Sequence, residues 1–440
     1  MEREDRKMRF RGIERIGRLA LVSVMICLWL LDGLAPLVTS QSAGQARELH
    51  ETYDLTPGGV VSVNNTSGYI RVTSWNENRV RIDAVKREGR GGRGGRDEDL
   101  SQVEIQVTSR PGRIDIRTFY PRYEGSRVSV DYDLKVPRGA VLNTLTTING
   151  EITVNDPVAR VTANSTSGSI TVREVTGDAA LSSTSGQITA GRIGGSLSVI
   201  STNGGLVIGE VASTLNARCV NCSISARGLR DDATVRSTNG AIDLERIGGR
   251  VNAEATNGPI RINEVGGDVI AKSYNNSITI TNTRGRVVAT TLNGNVNVRN
   301  AGEGARVEAV SGSVQISDSK GRIEAGAVSG SITLNNIDGK DVIAKANSGG
   351  VLFTGRFYEG GRYEFFSQSG NLVLTLPPES NFNLTVISRS GSVNTEFPLE
   401  IGPGAQLGGH APIVGVVGKG GAEVRAISNS GNVQIRKAPK

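Results

Sequence analysis

The stretch T-N-G-A-I-D-L at residues 238–244 is one copy of a sequence motif, and close variants of this motif recur along most of the chain. The third position of each variant is usually glycine, and from residue 150 to residue 330 these positions are spaced by 18 residues. A fixed period without drift indicates a stacked repeat architecture. The corner positions are Gly150, Gly168, Gly186, Gly204, Cys222, Gly240, Gly258, Asn276, Gly294, Gly312 and Gly330.

Within each repeat, apolar residues alternate with polar ones, as at Ile260 and Ile262 and again at Val269 and Ala271. An alternation of period two is typical of a strand and not of a helix. A second glycine usually follows nine residues after the first. One repeat is therefore expected to form one coil with two short strands and two Gly or Asn corners, where these residues tolerate positive φ.

Stacked coils can bury apolar side chains that an isolated coil would expose. Ile242 and its equivalents in the other coils are predicted to form a continuous interior column. The position before the corner holds asparagine in six successive repeats, and stacked asparagines are predicted to form a ladder of side-chain amides. The ladder residues are Asn203, Asn221, Asn239, Asn257, Asn275 and Asn293. The predicted fold class is all-β, a single-stranded β-helix or solenoid with 18-residue coils, capped at both ends.

Four regions are predicted along the 440 residues. Residues 1–40 begin with charged residues and continue with an apolar run of 13 residues, which indicates a signal peptide or an uncleaved N-terminal anchor. Residues 47–146 are β-rich but irregular, as expected for an N-terminal cap and first coils. Residues 147–345 form the regular solenoid. Residues 346–440 gather aromatic residues and prolines, which predicts wider coils and a C-terminal cap.

The charge balance gives no indication of nucleic-acid binding. The formal net charge of +7 falls to +5 without residues 1–40, which is too weakly basic for a nucleic-acid footprint. The Arg-Gly-Gly run at residues 88–96 resembles RNA-binding segments. Acidic residues 97–99 follow it directly, so we interpret the run as a flexible hairpin loop.

Residues suited to catalysis are few. His50 and His410 are the only histidines, and both lie outside the regular coils. A serine nucleophile needs a positioned base, and none is suggested near the many serines of the repeats. No catalytic residue, metal site or cofactor is predicted.

A group of charged residues on adjacent repeats is the one feature that a carbohydrate-active β-helix enzyme could use. Asp243 and Arg261 occupy the same position of neighbouring repeats and are predicted to be cross-strand neighbours. We interpret the group as a solvated ladder of ion pairs. It consists of Asp243, Glu245, Arg246, Arg261, Glu264 and Asp268.

Cys219 and Cys222 form the motif C-V-N-C at a predicted turn. Residues three apart in a tight turn come close enough for a disulfide. Free buried thiols and a redox-active pair are the alternatives. Two cysteines with no histidine nearby make an incomplete zinc site.

The segment V-D-Y-D-L-K-V-P-R-G-A at residues 130–140, followed by repeated T-x-N-G-x-I-x-V phrases, resembles the bacterial putative-adhesin β-solenoid family of unknown function, also called toast-rack-like. The resemblance covers about residues 48–438. It implies association with the cell envelope and an adhesive, scaffolding or stress-sensing role, and it provides no catalytic residues. Cys222 and Asn276 depart from the usual corner glycine.

These patterns favour a secreted, periplasmic or envelope-associated β-solenoid without enzymatic activity, acting as an adhesin-like or structural scaffold or binding protein. The expected partner is an envelope, cell-surface or glycan ligand, and no transmembrane segment is expected beyond the N-terminal signal. The alternatives are a β-helix carbohydrate-active enzyme and an envelope-stress sensing domain.

Overall fold

The computed structural model describes residues 38–41, 47–88, 98–120, 128–401 and 412–439. Within these ranges nearly all regular structure is β-strand, and the only helix, α1 (Glu98–Ser101), has four residues. Across the same ranges no helix is long and apolar enough to cross a membrane. Residues 1–37 of the predicted signal segment, residues 89–96 of the Arg-Gly-Gly run and His410 lie outside the described residues.

In the described ranges, forty strands make up two sheets. The strands of the N-terminal end are β1 (Val38–Gln41), β2 (Glu48–Asp54), β3 (Val60–Asn64), β4 (Ile70–Trp75), β5 (Arg79–Glu88), β6 (Glu104–Arg110), β7 (Arg113–Phe119) and β8 (Val128–Pro137). The successive coils contain β9 (Val141–Thr147), β10 (Ile152–Val154), β11 (Arg160–Ser165), β12 (Ile170–Val175), β13 (Ala179–Ser183), β14 (Ile188–Ile193), β15 (Leu197–Ser201), β16 (Leu206–Ile208), β17 (Leu215–Cys219), β18 (Ile224–Leu229), β19 (Ala233–Ser237), β20 (Ile242–Ile247), β21 (Val251–Ala255), β22 (Ile260–Val265), β23 (Val269–Ser273), β24 (Ile278–Thr283), β25 (Val287–Thr291), β26 (Val296–Ala301), β27 (Gly304–Ala309), β28 (Val314–Ser317), β29 (Arg322–Ala327), β30 (Ile332–Ile337), β31 (Asp341–Ala346), β32 (Val351–Gly355), β33 (Arg362–Ser367) and β34 (Leu372–Leu376). The C-terminal end contains β35 (Phe382–Ser388), β36 (Val393–Thr395), β37 (Glu400–Ile401), β38 (Ile413–Val417), β39 (Ala422–Ser428) and β40 (Val433–Lys437).

From β9 to β34, odd-numbered strands belong to one sheet and even-numbered strands to the other. Each strand pairs in parallel with the strand two places later, so that Ile242 lies beside Ile260 and Asp243 beside Arg261. One coil therefore contributes one strand to each sheet, and the coils form a β-solenoid of about 13 turns. The predicted all-β solenoid is confirmed.

The predicted interior column is confirmed as well. Its members are all at most 1% exposed, because the parallel register places the same position of each coil directly above the last. Burial of such a column of large aliphatic side chains is the main favourable contribution to folding. The column consists of Ile170, Ile188, Leu206, Ile224, Ile242, Ile260, Ile278, Val296, Val314 and Ile332.

One outward-facing position that recurs from coil to coil does not have the backbone conformation of a strand. Between the buried residues Leu244 and Ile247, two consecutive side chains face outward, so the alternation breaks and the chain bends. The second of them, Arg246, has a φ of 58°. Equivalent residues in the next coils also have positive φ, between 51° and 59°; they are Glu264, Asn282, Asn300, Asp318 and Asn336. Asn and Asp tolerate this region better than Arg and Glu do.

The N-terminal end of the solenoid is interleaved. Strands β3 and β4 form one coil, yet β3 lies between β7 and β9, and β4 lies between β8 and β10. The outermost coil is thus β7–β8, which comes later in the sequence. Antiparallel pairing of β6 with β7 and of β5 with β8 covers the strand edges that this coil would otherwise expose.

The C-terminal end repeats this arrangement. Strand β39 lies between β33 and β35, and β40 lies between β34 and β36. Strand β38 then pairs antiparallel with β35 and covers the outer edge. The corners follow the same order, since a Cβ on Gly391 would overlap the carbonyl of Gly431, and one on Gly431 would overlap the carbonyl of Gly370. At both ends, a coil formed by one terminal segment is inserted beneath an internal one.

Aromatic side chains fill the interior near the C-terminal end. Phe353, Phe357, Tyr363, Phe365 and Phe382 lie within one cluster, with ring centroids 4.3 to 6.4 Å apart. The Tyr363 hydroxyl donates to the carbonyl oxygen of Gly339 at 2.8 Å. The rings occupy the space that the longer coils of this region open in the core.

Candidate binding surfaces

The corner glycines lie where neighbouring coils touch. A Cβ on Gly168 would overlap the carbonyl oxygen of Gly150, and one on Gly258 would overlap that of Gly240. None of the nine predicted corner glycines has positive φ. The expectation that these glycines supply left-handed turns is therefore wrong. Glycine is favoured because stacked corners approach closely, although Cys222 and Asn276 carry side chains at two of the corners.

In several coils a buried serine three residues before the corner holds the turn, and sequence reasoning missed its role. The Ser165 hydroxyl accepts a hydrogen bond from the Gly168 backbone N–H at 2.9 Å and donates one to the Gly150 carbonyl at 3.1 Å. Ser183 and Ser237 make the same pair of contacts. The serine thus fixes one corner and links it to the corner of the preceding coil.

The two cysteines replace this serine and this glycine. Cys219 lies beside Ser201 and Ser237 in the serine position, and Cys222 occupies the corner position. Their sulfur atoms are bonded to each other in the structure, and both residues are buried. A covalent bond therefore stands where the coils of Ser165, Ser183 and Ser237 have a hydrogen bond. The oxidation state of the pair in the protein remains a prediction to be tested.

The six predicted ladder asparagines are aligned on the surface at the same corners. Each side-chain amide donates to the Oδ1 of the asparagine one coil earlier, over distances of 2.6 to 2.9 Å. The hydrogen bonds run parallel to the solenoid axis and are exposed. They give this edge of the solenoid a regular row of amide groups, one in each coil.

Exposed apolar side chains lie next to this row. Tyr274, Leu292, Val310 and Val328 occupy one position in four successive coils, and each is more than 40% exposed. The asparagine ladder and the apolar side chains together form an edge with both polar and apolar groups, which is suited to surface contact.

Ion pairs join successive coils on the flat faces. Arg261 contacts Asp243 at 3.4 Å, and Arg227 contacts Glu245 at 2.9 Å. The prediction that Asp243 and Arg261 are cross-strand neighbours is confirmed, because the strand register places them side by side. Exposed pairs of this kind each contribute ~0–1 kcal/mol to stability.

The six charged residues grouped in the sequence do not lie together. Asp243, Glu245 and Arg261 line one shallow depression. Arg246 and Glu264 line a different groove, and Asp268 accepts a hydrogen bond from the backbone N–H of Arg286 at 2.8 Å. The arrangement spreads the charges along the solenoid.

One carboxylate of the coils and one histidine of the N-terminal end have shifted pKa values. The backbone N–H of Arg250 donates to Asp232 at 2.7 Å and, with the guanidinium of Arg250, holds the pKa of Asp232 below its usual value. His50 lies in the N-terminal cap, where hydrogen bonds to Asp83 and Glu48 raise its pKa. Its neighbours are acids that pair with it, and no nucleophile is among its contacts.

A long surface groove was not predicted from the sequence. It follows the column of positive-φ residues and the turns after the even-numbered strands, and its volume is about 1050 Å³. We call it the basic groove, because Arg230, Arg246, Arg284 and Lys320 line it, with Glu264 as the one acidic side chain. Glycines at positions 248, 266 and 302 keep its floor open.

Metal ligands are not clustered anywhere in the part of the chain that the structure describes. No group of three or more His, Cys, Asp or Glu side chains there could hold an ion.

The fold and its surfaces define a β-solenoid repeat protein whose outer faces carry the same groups coil after coil. Residues 267–436 match the model of the Toastrack family, DUF4097, and the predicted toast-rack-like resemblance is confirmed. No curated protein matches the chain. A solved structure of a putative cell adhesion protein from Clostridium sporogenes is similar at 8% identity and a TM-score of 0.15, over 89% of this chain and 100% of that one. A likeness with that TM-score carries no argument about function.

Proposed function

We propose that this protein is a non-enzymatic β-solenoid of the cell envelope or exterior, which binds an envelope, cell-surface or glycan ligand as an adhesin or structural scaffold. The observation that carries the proposal is the repetition of outward-facing groups. The asparagine ladder, the apolar edge and the axial ion pairs each recur from coil to coil. Repeated groups of this kind suit many weak contacts along one axis.

The separate pairing of the carboxylates supports a binding role over hydrolysis. A catalytic site holds a few groups against one reacting bond. Here Asp243 and Glu245 are each paired with an arginine of a neighbouring coil. Carboxylates held in this way are neutralised one by one along the solenoid and do not converge on a shared substrate position.

Export is supported by two features of the sequence and structure. The apolar run within residues 1–40 has the length of a signal-peptide core. The pairing of Cys219 with Cys222 suits an oxidising compartment, where disulfides persist.

The test removes two coils in register, residues 240–275, from the full chain and measures association with envelope preparations or cell surfaces. We expect the fold to persist and the association to weaken gradually, because stacked repeats are joined through nearest neighbours. Single changes Asp243→Asn and Arg261→Gln should alter association less than about twofold. Depolymerisation of an acidic polysaccharide by the wild-type protein, abolished by Asp243→Asn, would show the proposal to be wrong.

A further inference from the structure

The cations of the basic groove have no ion-pair partner, whereas several arginines at neighbouring positions do. On neighbouring positions, Arg227, Arg250 and Arg261 each contact a carboxylate of an adjacent coil. Among the described residues, no ion pair or side-chain hydrogen bond is formed by Arg230, Arg246, Arg284 or Lys320, although all four are exposed and line one groove. Four unpaired cations facing a shared space leave it with a positive potential.

A buried hydroxyl beneath the groove is also unpaired. Thr283 is 3% exposed, lines the groove and has no hydrogen-bond partner for its Oγ1. Val265 and Ala301 occupy the same position in the adjacent coils, so a hydroxyl is not required by the packing. In Ser319, two coils further on, the hydroxyl is bonded to the Ser317 carbonyl at 2.8 Å. The Thr283 hydroxyl is buried in the inward column with Val265 and Ala301, so it lies beneath the groove and is not exposed to a ligand there.

The backbone of the groove carries strain at charged residues. Arg246 and Glu264 have φ values of 58° and 59°, while Gly228 and the asparagines at positions 282 and 300 hold the same conformation more easily. Strained residues persist where the surrounding structure fixes them, and they cluster at ligand sites. This observation is independent of the missing ion pairs and concerns the same groove.

The spacing of the cations sets the shape of the ligand. Arg230 and Arg284 occupy the same position three coils apart, and Lys320 follows two coils later. With coils about 4.8 Å apart, the intervals are roughly 14 Å and 10 Å. A charge-assisted contact spans only about 2.7–2.9 Å, so each cation needs its own anionic group. The ligand is therefore a linear chain with several anionic groups.

We propose that the basic groove binds a linear acidic polysaccharide along the solenoid axis, with its carboxylates on Arg230, Arg284 and Lys320 and its hydroxyls near Asn300. This rests on the proposed binding function and names the ligand class for one face. Nucleic acid fits less well, because no aromatic side chain lines the groove for base stacking. Glu264 within the groove and Asp338 beyond Lys320 also repel a densely charged phosphate backbone.

The experiment measures binding of fluorescently labelled polygalacturonate fragments to the purified full chain by anisotropy at low salt. Neutral dextran and oligothymidylate of similar length serve as comparison polymers. The groove variant is Arg230→Gln, Arg284→Gln and Lys320→Gln. The control variant, Arg218→Gln, Lys272→Gln and Lys345→Gln, removes three exposed cations that share one position on the other sheet.

We expect polygalacturonate to bind and dextran not to bind, with an affinity that falls as salt is raised. The groove variant should bind about tenfold or more weakly, since it loses three charge-assisted contacts, and the control variant should stay within about threefold.

Three results would overturn the proposal: no binding of polygalacturonate, equal loss in the groove and control variants, or tighter binding of oligothymidylate in the groove. Failure here is distinguishable from failure of the proposed function. If polygalacturonate does not bind while deletion of residues 240–275 still weakens surface association, only the ligand assignment fails. If polygalacturonate binds and that deletion leaves surface association unchanged, the adhesive role is wrong. The assignment of the basic groove as a polysaccharide-binding site is then retained.

Discussion

At the scale of single residues, several coils contain a corner that a buried serine holds by hydrogen bonds. Ser237 accepts from the Gly240 N–H and donates to the carbonyl of the previous corner residue, Cys222. The Cys219–Cys222 bond replaces that corner hydrogen bond in one coil only. The surrounding coils therefore provide an internal reference for what the disulfide contributes.

The peptide that contains Cys219 and Cys222 should resist alkylation in protein purified without reductant, because the two sulfurs are bonded. Mass spectrometry before and after reduction measures this directly. Complete alkylation of both residues without reductant would contradict the disulfide.

The double change Cys219→Ser and Cys222→Gly rebuilds the corner of the other coils and serves as the control. Closing so short a loop contributes about 2 kcal/mol, and the restored hydrogen bond returns about 1 kcal/mol. Urea unfolding should therefore show a smaller loss for this variant than for Cys219→Ala with Cys222→Ala.

At the scale of elements, the strands have one face that tolerates no charge and another that tolerates most changes. Ile242 on β20 is fully buried between Ile224 and Ile260. Thr279 on β24 faces outward beside Arg261. The two positions belong to the same kind of strand and differ only in the face they occupy.

Ile242→Asp should lower the free energy of unfolding by about 4 kcal/mol or more, since an unpaired carboxylate would enter the core. Thr279→Asp should change it by less than about 0.5 kcal/mol, because the new carboxylate is solvated and lies beside Arg261. Chemical denaturation monitored by circular dichroism compares the two. Similar losses in both variants would contradict the assignment of the strand faces.

At the scale of the whole molecule, the interleaved ends make the terminal coils unlike the central ones. The coil of β39 and β40 has a neighbouring coil on each side. The inserted coil therefore supports both the outermost coil and the one beneath it.

Deleting residues 422–439 should separate β35 and β36 from the rest of the solenoid and expose the edges of β33 and β34. Exposed parallel edges promote association. Limited proteolysis should then cut within residues 377–401, and size-exclusion chromatography should show oligomers. The internal deletion of residues 240–275 is the control and should stay intact. Equal protease resistance in both would contradict the insertion.

Much of this architecture could be predicted from the sequence. The features that could not be predicted were missed for physical reasons. The 18-residue period determines the register, so Asp243 and Arg261 could be placed side by side. The order of the end coils could not be predicted, because the copy at residues 66–72 has the same pattern whichever coil it contacts. The basic groove was missed because Arg246 and Glu264 are not residue types that signal a positive φ.

The inserted end coils also restrict how such a chain can acquire new length. A coil added at either end of the sequence would find its stacking neighbours already occupied, with β3–β4 enclosed between β7–β8 and β9–β10 and β39–β40 enclosed at the other end. Gene duplications that lengthen the array must therefore fall in the interior, between residues 141 and 376. Most of the repeats in this span are 18 residues long. Duplication of whole coils within the array would produce repeats of equal length.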